Sequence, residues 1–328
     1  MRSVCLIVEW ENANSFPSEA ASANVERLAG QVAGTAGRSN ARFLIIVVYD
    51  PEMSSAVGAE RLCDRLSANH GHVIDVRPLA LRGGGYVGQK VAGIHAEPAE
   101  IYVFADCDCN YADDWFDAIL APLLSGEADY AYGRNIMDTS TVWGCAAAVY
   151  WFYPLESDVP DGPREPFFSN LALTRTAYAR YPFLRDPGDR EACAMWSSTV
   201  KQVPLRGKRL LVKVLHPPPA VAFGDLARHA MTYGRIDDAL ASARGRSRVG
   251  RIRLATSRLF WRLVRIPARL VLVGRIGRAG PTQRLAMAGL SVLYVVTTTL
   301  SQLGWALAAT HRKPTPDPDA NRLTTPQN

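Results

Sequence analysis

The sequence predicts an α/β protein, a doubly wound sheet followed by a helical tail of different chemistry. Three observations carry this expectation. From Val4 onward, short apolar runs alternate with longer helical patterns in β-α-β-α order. The formal charge of +6 conceals a split: residues 1–238 hold 22 Lys and Arg against 29 Asp and Glu, net −7, whereas residues 239–328 hold 15 against 2, net +13. Residues 285–309 carry no charge at all.

Five runs read as strands: 4–8, 43–49, 73–76, 101–105 and 129–132. Several are apolar on both faces, as in a sheet covered by helices on each side. Between them, 18–36, 54–70, 86–97 and 113–124 read as helices. Ser18 with Glu19 makes a helix start, and Asp113 with Asp114 places negative charge where a helix dipole favours it. Residues 143–187 are irregular and rich in aromatics and Pro, with one short helix near 170–180, and read as a functional loop region. A helix at 189–200, a strand at 210–215 and a helix at 224–243 complete a body expected to span 1–240.

The tail has three parts. Arg258, Arg262, Arg265 and Arg269 recur at helical spacing among Leu259, Phe260, Leu263, Val264 and Ile266, with Pro267 as a kink. That pattern is a basic amphipathic helix suited to a membrane interface. Residues 285–309 are long enough to span or lie in a bilayer, which needs about 20 residues. Eleven arginines between Arg244 and Arg278 would hold the preceding side in the cytoplasm. Residues 244–310 thus form a membrane segment, and 314–328 read as a disordered tail. Because the arginines alternate with bulky aliphatics and adjoin an uncharged span, membrane lipid is the expected partner rather than nucleic acid.

A composition of 48% hydrophobic and 21% charged residues excludes a disordered or collagen-like chain. The six cysteines form no C-x-x-C pair, which excludes a zinc ribbon or disulfide scaffold. The lone C-x-C of Cys107 and Cys109 reads as small buried residues at a strand end. The first apolar run, five residues, is too short for a signal-peptide core, so the body is expected in the cytoplasm.

The chemistry concentrates in AEIYVFADCDCNYADDW, residues 99–115. An apolar strand delivers Asp106 and Asp108 two residues apart at its C-terminal end. That spacing lets both reach one hard cation, or lets one hold the cation and the other a ribose hydroxyl. Such a cation would neutralise a leaving diphosphate. The triplet Gly83, Gly85 and Gly88 formally satisfies G-x-G-x-x-G. It does not follow the first strand, however, and lacks an acid about 20 residues on, which argues against a nicotinamide-binding domain.

With these residues in view, the chain resembles the family 2, GT-A-fold glycosyltransferases over about residues 3–235. The first strand and its Glu9-Trp10-Glu11-Asn12 ending are similar to that family's opening strand, with Asn12 kept and Glu9 and Glu11 replacing the usual Pro and Tyr. The second strand ends in Asp50, where the family has an acidic pair reading the nucleobase. Gly83-Gly84-Gly85 with Gln89-Lys90 sits at the family's Asn-x-Gly turn and helix, and Asp106-x-Asp108 at its D-x-D.

The resemblance implies a Rossmann-like mixed sheet and a metal-dependent, inverting transfer from a nucleotide-sugar donor, with Mn²⁺ or Mg²⁺ as cofactor. It implies donor contacts from Glu9, Glu11, Asn12, Asp50, Gly85, Gln89 and Asp106, and a metal held by Asp106, Asp108 and His216. The family's catalytic acid at a helix start falls on Asp189, with Glu191 second. Asp189 reads equally as the N-cap of the following helix, and His216 equally as a structural strand-end residue.

The basic tail adds an expected lipid-linked or glycan acceptor at the cytoplasmic membrane face, with the aromatic segment 143–168 at the acceptor entrance. Two other classes share these features. One is a GT-A-like domain that binds nucleotide or sugar at the membrane without turnover. The other is a nucleotidyltransferase, whose usual Gly-rich, Arg- and Lys-bearing loop is absent after the first strand.

Overall fold

The computed structural model describes residues 2–14, 16–150, 166–185, 189–276, 279–308 and 315–316, with the backbone alone for 184–185, 189–192, 201, 276 and 315–316. The chain divides into two compact units: Met1–Arg134 with Asp161–Val214 and Pro314–Asn328, and Asn135–Pro160 with Leu215–Lys313.

The sheet is mixed. Its strands are β1 (Ser3–Glu9), β2 (Arg42–Tyr49), β3 (Asp75–Ala80), β4 (Ile101–Asp106), β5 (Asn110–Tyr111), β6 (Tyr130–Met137), β7 (Asn170–Thr174) and β9 (Gly207–His216), in the order β3-β2-β1-β4-β7-β6-β9-β5. β8 (Leu184–Arg185) stands outside it, paired with β10 (Thr315–Pro316). The first four strands in that order run parallel, and β7 is antiparallel to both β4 and β6. β3 closes one edge with Pro78 in it, and the two-residue β5 closes the other.

Helices cover both faces of this sheet, so β1 and β2 are apolar at nearly every position rather than at alternate ones. On one face Leu6, Val8 and Ile45 pack with α1 (Ser18–Ala36), α2 (Ala56–His70) and α4 (Trp115–Leu124) through Val25, Leu28, Leu62 and Ile119. On the other, Cys5, Ile7 and Ile46 meet α3 (Gly85–Ala96) and α7 (Asp189–Thr199) through Val87, Val91, Ile94 and Trp196. The α3 contact is tight: a Cβ on Gly93 would sit 2.6 Å from Ile7 Cγ2.

Three elements differ from the sequence expectation. α5 (Val142–Tyr150) lies where an irregular segment was expected; its run of small residues, Gly144 to Ala148, is buried all round and so has no amphipathic period. The helix expected near 170–180 is half strand. β7 occupies a central place in the sheet, and only α6 (Arg175–Arg180) is helical, capped by Thr174 Oγ1, which accepts the Ala177 N–H at 3.1 Å. The third strand begins two residues later than expected and runs to Ala80, because an edge strand carrying Arg77 and Pro78 offers no apolar run.

The second unit is helical: α5 with α8 (Phe223–Ala243), α9 (Arg248–Ile276) and α10 (Pro281–Ala308). α9 continues through Pro267 to Ile276. Gly234 lets α8 and α10 approach closely, since a Cβ there would lie 2.4 Å from the Thr298 oxygen. Ion pairs join α8 to α9, the first of them buried. Arg251 Nη1 donates to Asp238 at 2.7 Å, and Asp237 receives Arg258 at 2.8 Å and Arg262 at 3.0 Å. Arg269 Nε donates to the Ala148 carbonyl at 3.2 Å.

Of the four arginines expected to face a membrane, three therefore point into the unit, and only Arg265 is exposed. Asp237 on α8 attracts Arg258 and Arg262, and the Ala148 carbonyl takes Arg269. α10 is one helix long and apolar enough to cross a membrane by length and composition.

Candidate functional site

The C-terminal ends of the parallel strands converge on one group of charges. Glu9 and Asp106 are register partners at the last positions of β1 and β4, and Asp50 directly follows β2. This is the edge of an open α/β sheet where ligands bind.

Asp106 is almost fully buried, and α3 supplies its partners. Lys90 Nζ donates to Oδ1 at 2.6 Å, and the Tyr86 hydroxyl lies 2.9 Å from Oδ2 and 3.1 Å from Oδ1. Lys90 has no exposed surface and sits 4.4 Å from the centre of the Tyr86 ring. The Asp106 N–H donates to the Tyr111 hydroxyl at 2.8 Å, and that hydroxyl donates on to the Ser169 carbonyl at 3.1 Å. The turn carrying Asp106 and Asp108 is thereby fixed to the strand behind it.

Glu9 is also fully buried. Its Oε1 accepts the Asn12 N–H at 2.9 Å, while Oε2 has no hydrogen-bond partner among the described residues. Burial, then the neighbouring Asp106 carboxylate, pushes the Glu9 carboxyl well above its ordinary value, against the pull of Lys90. Lys90 stays charged: burial alone would lower it, but Asp106 and Glu9 together raise it. The Glu9 carboxyl interacts here with three further acids, Asp106, Asp108 and Glu11, and with the Lys90 ammonium group.

Gln89 Oε1 accepts the Trp10 N–H at 3.2 Å, and the Trp10 indole donates to the Ser55 carbonyl at 3.0 Å. Trp10, between two of the expected donor-binding acids, is thus a buried core residue. Asp50 stands at the sheet's open side. Its two oxygens accept the backbone N–H groups of Glu52 and Gly83, each at 2.9 Å, and these hold its carboxyl below the usual range. Gly83 and Gly85 adopt φ of 60° and 58°, a conformation that requires glycine, and Gly85 opens α3. Asp50 therefore braces the turn that launches the helix carrying Gln89 and Lys90.

The structure brings Glu9, Glu11, Asn12, Gln89, Asp106 and Asp108 together, with Asp50 and Gly85 framing the adjoining turn. Asp189 begins α7 and Glu191 falls in its first turn, but the side chains of both lie outside the described residues. His216 ends β9 and belongs to the second unit, where its Nδ1 lies 2.7 Å from the Pro217 oxygen. Most of the aromatic segment, 151–165, lies outside the described residues. Phe168, expected at an acceptor entrance, is instead a core residue packed between Phe183 and Trp196. Burial pushes the thiols of Cys107 and Cys109 well up, in keeping with their reading as small buried residues.

Sequence reasoning left Lys90 and Tyr86 out of the site. The signal for Lys90 was present. It lies on the α3 face that buries Val87, Val91 and Ile94, and a lysine at such a position must have a buried acid to meet.

No family model matches the sequence, and no curated protein matches it. Solved structures do. A mannosyltransferase, PcManGT from Pyrobaculum calidifontis, in complex with GDP-mannose and Mn²⁺, superposes with a TM-score of 0.52 at 10% identity, over 92% of this chain and 87% of that one. Glucosyl-3-phosphoglycerate synthase from Mycobacterium tuberculosis, with phosphoglyceric acid, gives 0.46 at 14% identity over 74% and 79%. S. aureus TarS, with UDP-GlcNAc, gives 0.44 at 11% over 95% and 93%. The fold assignment rests on the first: the chain has a GT-A-type fold.

Proposed function

We propose that this chain is a glycosyltransferase that moves a sugar from a nucleotide-sugar donor to an acceptor hydroxyl, with Mn²⁺ or Mg²⁺ as cofactor. The observation that carries the reading is the pair of buried acids, Glu9 and Asp106, side by side at the last positions of β1 and β4, with Lys90 bonded to Asp106. A mannosyltransferase that holds GDP-mannose and Mn²⁺ shares the fold.

The residues present fit a divalent cation. They offer hard oxygen donors in Asp106 and Asp108 and, in Glu9 Oε2, a buried oxygen with no partner among the described residues. In this reading Asp106 and Asp108 would hold the ion. When bound, the cation supplies charge neutralisation to the departing diphosphate.

The chain's own groups do the rest. Asp50 reads the nucleobase, while Glu9, Glu11, Asn12, Gly85 and Gln89 shape the donor pocket. Lys90 holds the Asp106 carboxylate in one orientation. Asp189, with Glu191 as the alternative, takes the proton from the acceptor hydroxyl as it attacks the anomeric carbon from the side opposite the leaving group. A single displacement of that kind inverts the anomeric configuration. The nearly acid-free tail supports attachment to the cytoplasmic membrane face and a lipid-linked or glycan acceptor.

Incubation with Mn²⁺ and a panel of nucleotide sugars, with released nucleoside diphosphate as the readout, tests the reading. One donor should be turned over, and Asp108→Ala should abolish that turnover together with metal-dependent nucleotide binding. Undiminished turnover in Asp108→Ala would reject the metal role. Nucleotide-sugar binding without diphosphate release would identify a binding domain instead.

A further inference from the structure

The outward face of α9 is apolar and basic at once. Val249, Arg253, Phe260, Val264, Val271 and Arg275 are exposed and recur at intervals of four or seven residues, the spacing of one helix face. Trp261, Arg265 and Leu272 lie on the same stripe, exposed as well. Phe260 and Trp261 show 60% and 54% of their surface and, with Val264, make the apolar exposure contiguous, the kind of patch that marks an interaction surface. Arg265 sits 5.9 Å from the centre of the Trp261 ring. No Asp or Glu occurs anywhere from residue 239 to 316, so nothing on this helix neutralises Arg253, Arg265 and Arg275. The arginines of the opposite face are already committed to Asp237, Asp238 and the Ala148 carbonyl.

α10 has the reverse problem for a helix that would cross a bilayer alone. It buries Ser291, Thr298, Thr299 and Gln302 inside the unit and turns Leu285, Leu293, Leu300 and Leu307 outward. It packs along α8, whose Gly234 admits it closely and whose Asp237 and Asp238 hold three arginines of α9. If α10 crossed the hydrocarbon, that ionic helix pair would have to follow it, at a cost of several kcal/mol per ion.

We propose that the second unit attaches to one leaflet of an anionic membrane. The outer stripe of α9 lies in the plane of the interface, with Phe260, Trp261, Val264 and Val271 among the acyl chains and Arg253, Arg265 and Arg275 at the headgroup phosphates. α10 stays on the same side, packed against α8. This deepens the membrane clause of the proposed function, and its test uses no donor or acceptor, so its failure leaves the glycosyltransferase reading untouched.

The full-length protein is floated with vesicles of phosphatidylcholine alone and of phosphatidylcholine with roughly a quarter phosphatidylglycerol, the anionic surface that exposed arginines recognise. It should rise with the anionic vesicles, stay down with the neutral ones and come off in alkaline carbonate. Replacing Arg253, Arg265 and Arg275 together by Gln should weaken anionic-vesicle affinity about 100-fold, each charge contributing roughly fivefold. Phe260→Ser with Trp261→Ser should weaken it independently. All five positions are exposed, so circular dichroism should show both variants folded.

Parental binding by either variant, equal binding to neutral vesicles, or a parent that resists carbonate extraction would overturn the proposal.

Discussion

Replacing Lys90 by Met tests whether the buried charge cluster is organised as described. The side chain keeps its length and loses its charge, leaving Asp106 buried without its 2.6 Å partner and close to Glu9. At that separation and an effective dielectric of about 20, the gross attraction is roughly 6 kcal/mol. Lys90 no longer has to be desolvated in the variant, which returns part of this. The expected net loss is therefore about 3–5 kcal/mol, the usual cost of breaking a buried pair from one side. Lys90→Met with Asp106→Asn removes both charges and should recover at least half of that loss. Urea unfolding followed by tryptophan fluorescence measures all three proteins. A loss below about 1 kcal/mol in Lys90→Met would refute the reasoning, as would a double variant no more stable than the single one.

Two further outcomes follow from packing and from pH. Gly93→Ala places a methyl 2.6 Å from Ile7 Cγ2 in a fully packed layer, and should cost about 1–3 kcal/mol in thermal or urea unfolding. Asp129 accepts the Arg206 backbone N–H and two of its guanidinium N–H groups, which hold its carboxyl below the usual range. Because the folded value is depressed, this contribution is full above the ordinary carboxylate range and is lost as pH falls through the folded one. Asp129→Asn should therefore lower Tm by about 2 °C at neutral pH, discounted for the exposure of Arg206, and match the parent in strong acid.

How much of this was legible depended on whether a pattern is local. β1, β2 and β4 announced themselves as apolar runs, and Asp106 and Asp108 as acids directly after one of them. β7 did not: four of its five residues are buried and show no alternation, and its antiparallel pairing with β4 is set by a partner about 70 positions away in sequence. α5 was hidden for a related reason, since small residues buried all round have no period. The arginine spacing of α9 was visible, but the direction of each arginine was not. It depends on Asp237 and Asp238 arriving from α8, and no helical wheel of α9 alone contains them. Lys90 sat in plain sight on an apolar face, and its meaning emerged only when Asp106 was found opposite.

The edge strand β3 settles how far the sheet can grow. Pro78 has no N–H to offer a further strand, and Arg77 is drawn into an ion pair with Glu97, which also holds Arg42. An incoming chain would lose a ladder bond at the proline and would have to displace charged side chains from the same margin. At the opposite margin β5 is only two residues long, too short to template pairing. The β3 border is thus a poor place for a second copy to add a strand. Crowding the protein at high concentration should therefore not extend its sheet past β3.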